Sequence, residues 1–322
     1  SPALIPSGRS IFTALIAGDA GLSSVVAVGS GGIRETLVRS ELGCGRAQSR
    51  PTVAGMTDEP NVDLGDREVA PRNEILRTEV GSGVHGMAIP GTDDHDETGV
   101  YIEEPAQLLG LADAPQHWIW RTQPMGARSG PGDVDLTVYA LRKFVRLVLS
   151  GNPTVLIPLY AVGPALLHIT PLGQELRELT PALVSREAGH RFLGYLDGQR
   201  RRLVGEGPRR SRVPNRPELV DRHGYDTKYA SHALRLGLQG LELVTTGRLT
   251  LPMRPDDLAP CLAVKRGEVS FTEALALIDR ARTDLQTAMD TGLSVLPDVP
   301  DRAAVDAWLI SAHRRHWAEN GL

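Results

Sequence analysis

The hydrophobic rhythm of the chain changes along its length, and each change predicts a different element. Asn73-Glu74-Ile75-Leu76-Arg77-Thr78-Glu79-Val80 predicts a short element that runs into Gly81-Ser82. Gly99 to Glu103 is strand-like, and His117-Trp118-Ile119-Trp120-Arg121 predicts another short strand. Past the turn Gly130-Pro131-Gly132, the run Asp133-Val134-Asp135-Leu136-Thr137-Val138-Tyr139 alternates polar with apolar, the period of a half-buried strand. The period then lengthens. Leu141, Phe144, Val145, Val148 and Leu149 fall on one helical stripe, closed by Gly151 with Pro153 beyond. Arg142, Lys143 and Arg146 lie on the other side and read as a solvated face, with phosphate contact the lesser reading.

From about Gly163 the spacing is mostly helical. Residues 182–204 predict one helix, weakened by Gly189, Gly194 and Gly198. Residues 227–245 predict a second, with Asp226 placed to cap its start and Gly247 its end. Ser270-Phe271-Thr272-Glu273 has capping-box spacing ahead of an apolar run. Asp301 to Asn320 predicts a final helix, with Val305, Trp308, Leu309 and Ala312 on one stripe. The first 55 residues differ, being rich in Gly, Ala, Ser and Arg without a sustained period, whereas Met56-Thr57-Asp58-Glu59-Pro60 reads as an ordinary start. Val25 to Gly32 only loosely resembles a strand and phosphate turn. The expected organisation is an N-terminal extension over 1–56, an α/β (α+β) unit with a short mixed sheet over 57–165, and a mostly helical unit over 166–322.

Composition narrows the classes. Hydrophobic residues at 41% and charged residues at 23% are globular values, and no apolar run approaches the roughly 18 residues of a membrane span. A formal charge of −4 argues against coating nucleic acid non-specifically, while leaving room for a local basic patch. Cys44 and Cys261 make neither a metal spacing nor a disulfide framework, so a reducing cytoplasm is the expected compartment. Aromatic residues at 4% are too few for a base-stacking platform.

The chemistry concentrates in Gly81-Ser82-Gly83-Val84-His85-Gly86 and the following Thr92-Asp93-Asp94-His95-Asp96-Glu97. Residues two apart on a strand share a face, so Asp94 and Asp96 could hold divalent cations together. A glycine-serine turn exposes backbone N–H groups that can meet a phosphate. Two hard cations about 3.5–4 Å apart need a third carboxylate, and Asp133 and Asp135 are the candidates. Asp135 is favoured because it lies within the regular alternation, while Asp133 abuts the Gly-Pro-Gly turn. Taken singly each feature is bland: most Asp-x-Asp pairs are solvated and most Gly-Ser-Gly runs are only turns.

In this order, Gly81-Ser82, Asp94-x-Asp96 and a later strand aspartate resemble the signature of the DNA polymerase beta-like nucleotidyltransferase superfamily. Asp135 to Phe144 with Gly151-Asn152-Pro153-Thr154-Val155-Leu156, and His223-Gly224-Tyr225-Asp226-Thr227-Lys228-Tyr229-Ala230-Ser231-His232, are similar to a bacterial and phage subgroup linked to RNA repair. The resemblance covers roughly residues 74–290. It implies a nucleotidyltransferase-type domain followed by the helical one, and transfer of a nucleoside monophosphate from an NTP with release of pyrophosphate. It implies Gly81 and Ser82 on the triphosphate, Mg²⁺ or Mn²⁺ on Asp94, Asp96 and Asp135, and an RNA end, tRNA-like ends included, as acceptor. The extra acid in Asp93-Asp94-His95-Asp96 leaves Asp93 or Asp94 as first ligand, with strand geometry favouring Asp94.

Other basic groups extend the picture. Lys228, His232 and Arg235 share one helical face and could grip a triphosphate or an acceptor phosphate; the alternative is a surface stripe. Arg200-Arg201-Arg202, Arg209-Arg210, Arg212 and Arg216 could meet RNA or form a solvated loop. His85 and His95 suggest zinc, but the surrounding carboxylate oxygens suit Mg²⁺ or Mn²⁺ better. A protein or small-molecule hydroxyl is the alternative acceptor. A non-catalytic nucleotide- or RNA-binding module of the same fold is the alternative class, disfavoured by the full carboxylate set.

Overall fold

The computed structural model describes residues 60–322 other than 90, 92–93, 112, 125 and 207–215. The expected N-terminal extension, Met56, Cys44, Asp93, Arg209, Arg210 and Arg212 lie outside those residues. The described chain enters on β1 (Val62–Gly65), turns through α1 (Val69–Arg72) and forms β2 (Glu74–Val80). β2 stops at Gly81, whose φ of +70° is cheap only for glycine, and the single turn α2 (Gly81–Val84) follows. Next come β3 (His95–Tyr101), α3 (Pro105–Leu109), β4 (His117–Arg121) and β5 (Val134–Ala140). β4 has the bounds expected of it. β5 starts after Asp133, because that carboxylate is drawn into the turn, accepting from the Gly130 amide at 2.8 Å and the Thr122 hydroxyl at 3.1 Å.

α4 (Leu141–Leu149) and α5 (Ile157–Tyr160) lead to the edge strand β6 (Leu166–Ile169), a strand too short and irregular to be legible beforehand. The sheet has order β1-β4-β5-β3-β2-β6. Among the described residues only β3 and β5 run parallel, and the other neighbouring pairs are antiparallel. This is the expected short mixed sheet. One face buries Trp118, Trp120, Leu136 and Val138 with Ala70 of α1. On the other, Leu76, Val80 and Val100 join Phe144, Val145 and Val148 of α4 in a core that continues through the helices as far as Ala312.

The helical part comprises α6 (Pro171–Glu178), α7 (Thr180–Leu183), α8 (Arg186–Leu203), α9 (Pro217–His223) and α10 (Thr227–Thr246). It closes with α11 (Pro255–Arg266), α12 (Phe271–Asp290) and α13 (Arg302–Asn320). The single helix predicted over 182–204 is in fact split: Ser185 leaves helical geometry to cap α8, accepting from the Glu187 amide. α10 follows its sequence signals, with the Asp226 carboxylate on the Lys228 and Tyr229 amides and Gly247 in the left-handed region. Ser270 and Glu273 form the expected reciprocal box, and Asp301 caps α13. α11 was not foreseen, since Pro260 interrupts it and its apolar residues form no stripe. Among the described residues, no helix is long and apolar enough to cross a membrane.

Candidate metal and nucleotide site

The parallel pairing of β3 with β5 sets Asp96 directly beside Asp135, with Asp94 just ahead of β3. Ligand atoms of these three carboxylates all lie within 4.8 Å of one another. Strand alternation sends the intervening His95 to the opposite face, where its Nε2 meets Glu97 Oε1 at 2.9 Å. Crowding has an electrostatic cost: burial, then Asp94 and Asp135, push the Asp96 carboxyl up to about 7, with Lys228 of α10 pulling the other way. A half-buried carboxyl repelled by two like charges is one that a cation would relieve.

Asp135 is held differently. Its Oδ1 accepts from Arg121 Nε and from Gln123 Nε2 at 2.9 Å. Its Oδ2 accepts from Ser129 Oγ at 2.5 Å and from Arg121 Nη2 at 3.4 Å. Four donors therefore occupy a carboxylate with about four acceptor positions. Arg121 reaches it because β4 pairs antiparallel with β5 and sets Arg121 opposite Asp135. The guanidinium is 2% exposed, and its Nη1 is buried without a hydrogen-bond partner among the described residues.

The glycine-serine turn adjoins the same carboxylates, since Val80 pairs with Asp96 and the turn begins at the next residue. A Cβ on Gly81 would run into the Asp96 carboxylate, and one on Gly83 into that of Glu79. The turn is braced from the helical side. Arg235 Nη1 lies 2.7 Å from His85 Nε2, and Gln239 of the same helix lies 3.1 Å from His85 Nδ1. A guanidinium can only donate, so His85 Nε2 accepts and the ring is neutral. Burial, then Arg235 and His232, hold its pKa well below the usual range. Lys265 Nζ donates to the Met87 carbonyl at 2.7 Å, and the Met253 amide to the His85 carbonyl at 3.2 Å.

Residues 64–295 match the RNA repair pathway DNA polymerase beta family, RlaP. The chain belongs to that family. No curated protein and no solved structure is similar enough to match. Membership in RlaP agrees with the polymerase beta-like resemblance read from Gly81-Ser82, Asp94-x-Asp96 and Asp135, and with the link to RNA repair.

Within this RlaP chain the sequence-predicted residues fall into two groups. Asp94, Asp96 and Asp135 converge, with Gly81 and Ser82 at their side. Lys228, His232 and Arg235 form a half-buried stripe toward the same turn: Lys228 acts on Asp96, while His232 and Arg235 act on His85. Asp133 is occupied in its turn and is not among the three. The zinc reading gains no support, because His95 faces away and His85 is packed against α10. Sequence reasoning missed Arg121, Gln123 and Ser129. Arg121 is the last residue of a short strand, and nothing local separates such a residue from a solvated strand end. Among the triple arginines, Arg200 is bound to Asp279 of α12 at 2.6 Å, which places it in a surface ion pair.

Proposed function

We propose that this chain transfers a nucleoside monophosphate from a nucleoside triphosphate to a hydroxyl at an RNA end. The observation that carries this reading is the convergence of Asp94, Asp96 and Asp135 beside an open glycine-serine turn, in a chain of the RlaP family. The donor set fits a hard divalent cation: three carboxylates, no thiolate, and one acid raised by burial and then by its like-charged neighbours. Mg²⁺ or Mn²⁺ held by those three would neutralise phosphate charge and favour ionisation of the attacking hydroxyl.

The protein's own groups have distinct parts. The bare backbone of Gly81 and the Ser82 hydroxyl would cradle the triphosphate, with Lys228 supplying a point charge from α10. His232 and Arg235 would hold the turn in place and add positive potential beneath it. Asp135 would give up one of its donors, the Arg121 Nη2 contact at 3.4 Å being the longest, to join the cation and help take the acceptor's proton. The acceptor oxygen forms a bond to the α-phosphorus as the bond to the β-phosphate bridge breaks, and pyrophosphate leaves with the electron pair. Alignment and charge stabilisation supply most of the acceleration in such transfers.

Incubation of the full chain with Mg²⁺, α-labelled NTPs and total RNA tests the proposal. Label on RNA with stoichiometric pyrophosphate is the expected result. Label on protein or a small molecule would move the acceptor to that class. Nucleotide binding with no pyrophosphate from any acceptor would overturn catalysis in favour of a binding module.

A further inference from the structure

The half of the sheet beyond Asp135 carries a second chemical feature. On β4 and β5, Trp118, Trp120, Leu136 and Val138 are buried, whereas His117, Ile119, Thr137 and Tyr139 on the opposite face are only half covered. His117 is opposite Tyr139 and Ile119 opposite Thr137, so these four form a strip running from the carboxylates along the strands. At its far end Lys143 of α4 leans onto the strip. Its Nζ lies 3.1 Å from His117 Nδ1 and 5.6 Å from the centre of the Tyr139 ring. Arg142 and Arg146 on the same helix are exposed. Lys143 is therefore distinct from the solvated face to which its spacing assigned it.

Among the described residues no carboxylate lies within ion-pair range of Lys143. A half-buried cation ordinarily finds an acid. This one has a second base instead, and burial lowers both groups, with Lys143 lowering His117 further. Tyr195 of α8 stands near enough to influence Tyr139, and one turn on Gly198 faces open space. A lysine and a histidine at the end of a half-covered strip of sheet, without a counter-charge, form a receptor for an anion.

We infer that Lys143 and His117 form a subsite for an internal phosphodiester of a single-stranded RNA acceptor. The sheet order gives the direction. The triphosphate turn leaves β2, the carboxylates sit on β3 and β5, and β4 lies on the far side. An acceptor whose end reaches Asp135 has its body over β5 and β4. From Asp135 to Tyr139 the strand covers about 13 Å at about 3.3 Å per residue. That is beyond the terminal residue's own phosphate and suits the next one along the strand. The direction of the strand rests on the transfer reaction proposed above; the binding test needs no turnover.

Fluorescence anisotropy of a labelled single-stranded RNA oligomer, titrated with full-length protein over a NaCl series without divalent metal, reads the subsite directly. Lys143→Gln is expected to weaken binding about tenfold and to reduce the slope of log K against log salt by about 0.7, one phosphate contact on a single strand. Lys143→Arg should retain binding, His117→Gln should weaken it, and Arg146→Gln, an equal charge loss on the exposed side, should change it far less. In labelled transfer, Lys143→Gln should raise KM for the oligomer and leave a dinucleoside monophosphate, which has only the terminal phosphodiester, unaffected. Equal losses in Lys143→Gln and Arg146→Gln, or no RNA binding by the wild type, would overturn the subsite. Transfer by the wild type with unchanged RNA affinity in Lys143→Gln removes the subsite and leaves the reaction standing. The expected binding pattern without pyrophosphate release does the reverse.

Discussion

At the scale of single residues, the three acids are not equivalent. Asp96 is crowded by its own kind, while Asp135 is wrapped by donors. Asp96→Asn should cut transfer by about 1000-fold. The same change should raise the stability of the metal-free protein by an amount of order 1 kcal/mol, read by urea denaturation, because it removes a charge that burial and then its acidic neighbours disfavour. A loss of stability instead would show that Asp96 is held by attractions not described above. Arg121→Met should act in the opposite sense, leaving Asp135 charged and half-buried without its guanidinium, and should cost about 3 kcal/mol. Melting at the wild-type temperature would rule out that dependence. The acids were legible because alternation fixes which residues share a strand face. Arg121 was not, because its partner is fourteen residues away across a hairpin whose register no local signal sets.

At the scale of elements, the glycine-serine turn has no stability of its own. α2 is one turn long and lacks a side-chain cap, so its geometry comes from β2 on one side and α10 on the other. His85 is the joint. His85→Ala and Arg235→Gln should each raise KM for the triphosphate about tenfold, and the double variant should be little worse than either single one, since both break one contact chain. Additive losses in the double-mutant cycle would mean that the two residues act separately. The sequence made β4, β5, α4, α10, α12 and α13 readable through period and caps. It did not make readable the break before α8, which depends on Ser185 leaving helical geometry in favour of a cap, or α11, whose apolar residues answer to several neighbours at once.

At the scale of the whole molecule, the last helix is fastened to the sheet by a buried polar contact. His313 Nδ1 lies 2.8 Å from the Leu309 carbonyl and Nε2 lies 3.1 Å from Glu103 Oε2, so both ring nitrogens face acceptors. Burial opposes the charge on His313, but Glu103 and the Leu309 carbonyl outweigh it and the pKa is raised. The stabilisation is thus fully present below the unfolded histidine value of about 6.5 and is lost as pH rises through the higher folded value. Thermal melts from pH 6 to 9 should show Tm falling with pH more steeply in the wild type than in His313→Gln. Parallel curves would place the pH dependence elsewhere. Trp317 Nε1 adds a 2.8 Å bond to the Glu103 carbonyl, so α13 and the sheet should melt together.

The lone parallel pair in the sheet has an evolutionary corollary. Two strands that run the same way cannot be joined by a tight hairpin, so the backbone between β3 and β5 doubles back through α3 and the antiparallel strand β4. That detour carries Arg121 and the His117 end of the strip, whereas the phosphate turn and its two acids come from the short β2–β3 stretch. On the proposed reaction, donor handling and acceptor handling would be encoded in separate stretches of polypeptide. Descendants of this chain could exchange the detour for another, keeping an arginine opposite Asp135, and so acquire a new recipient without relearning how to handle a triphosphate.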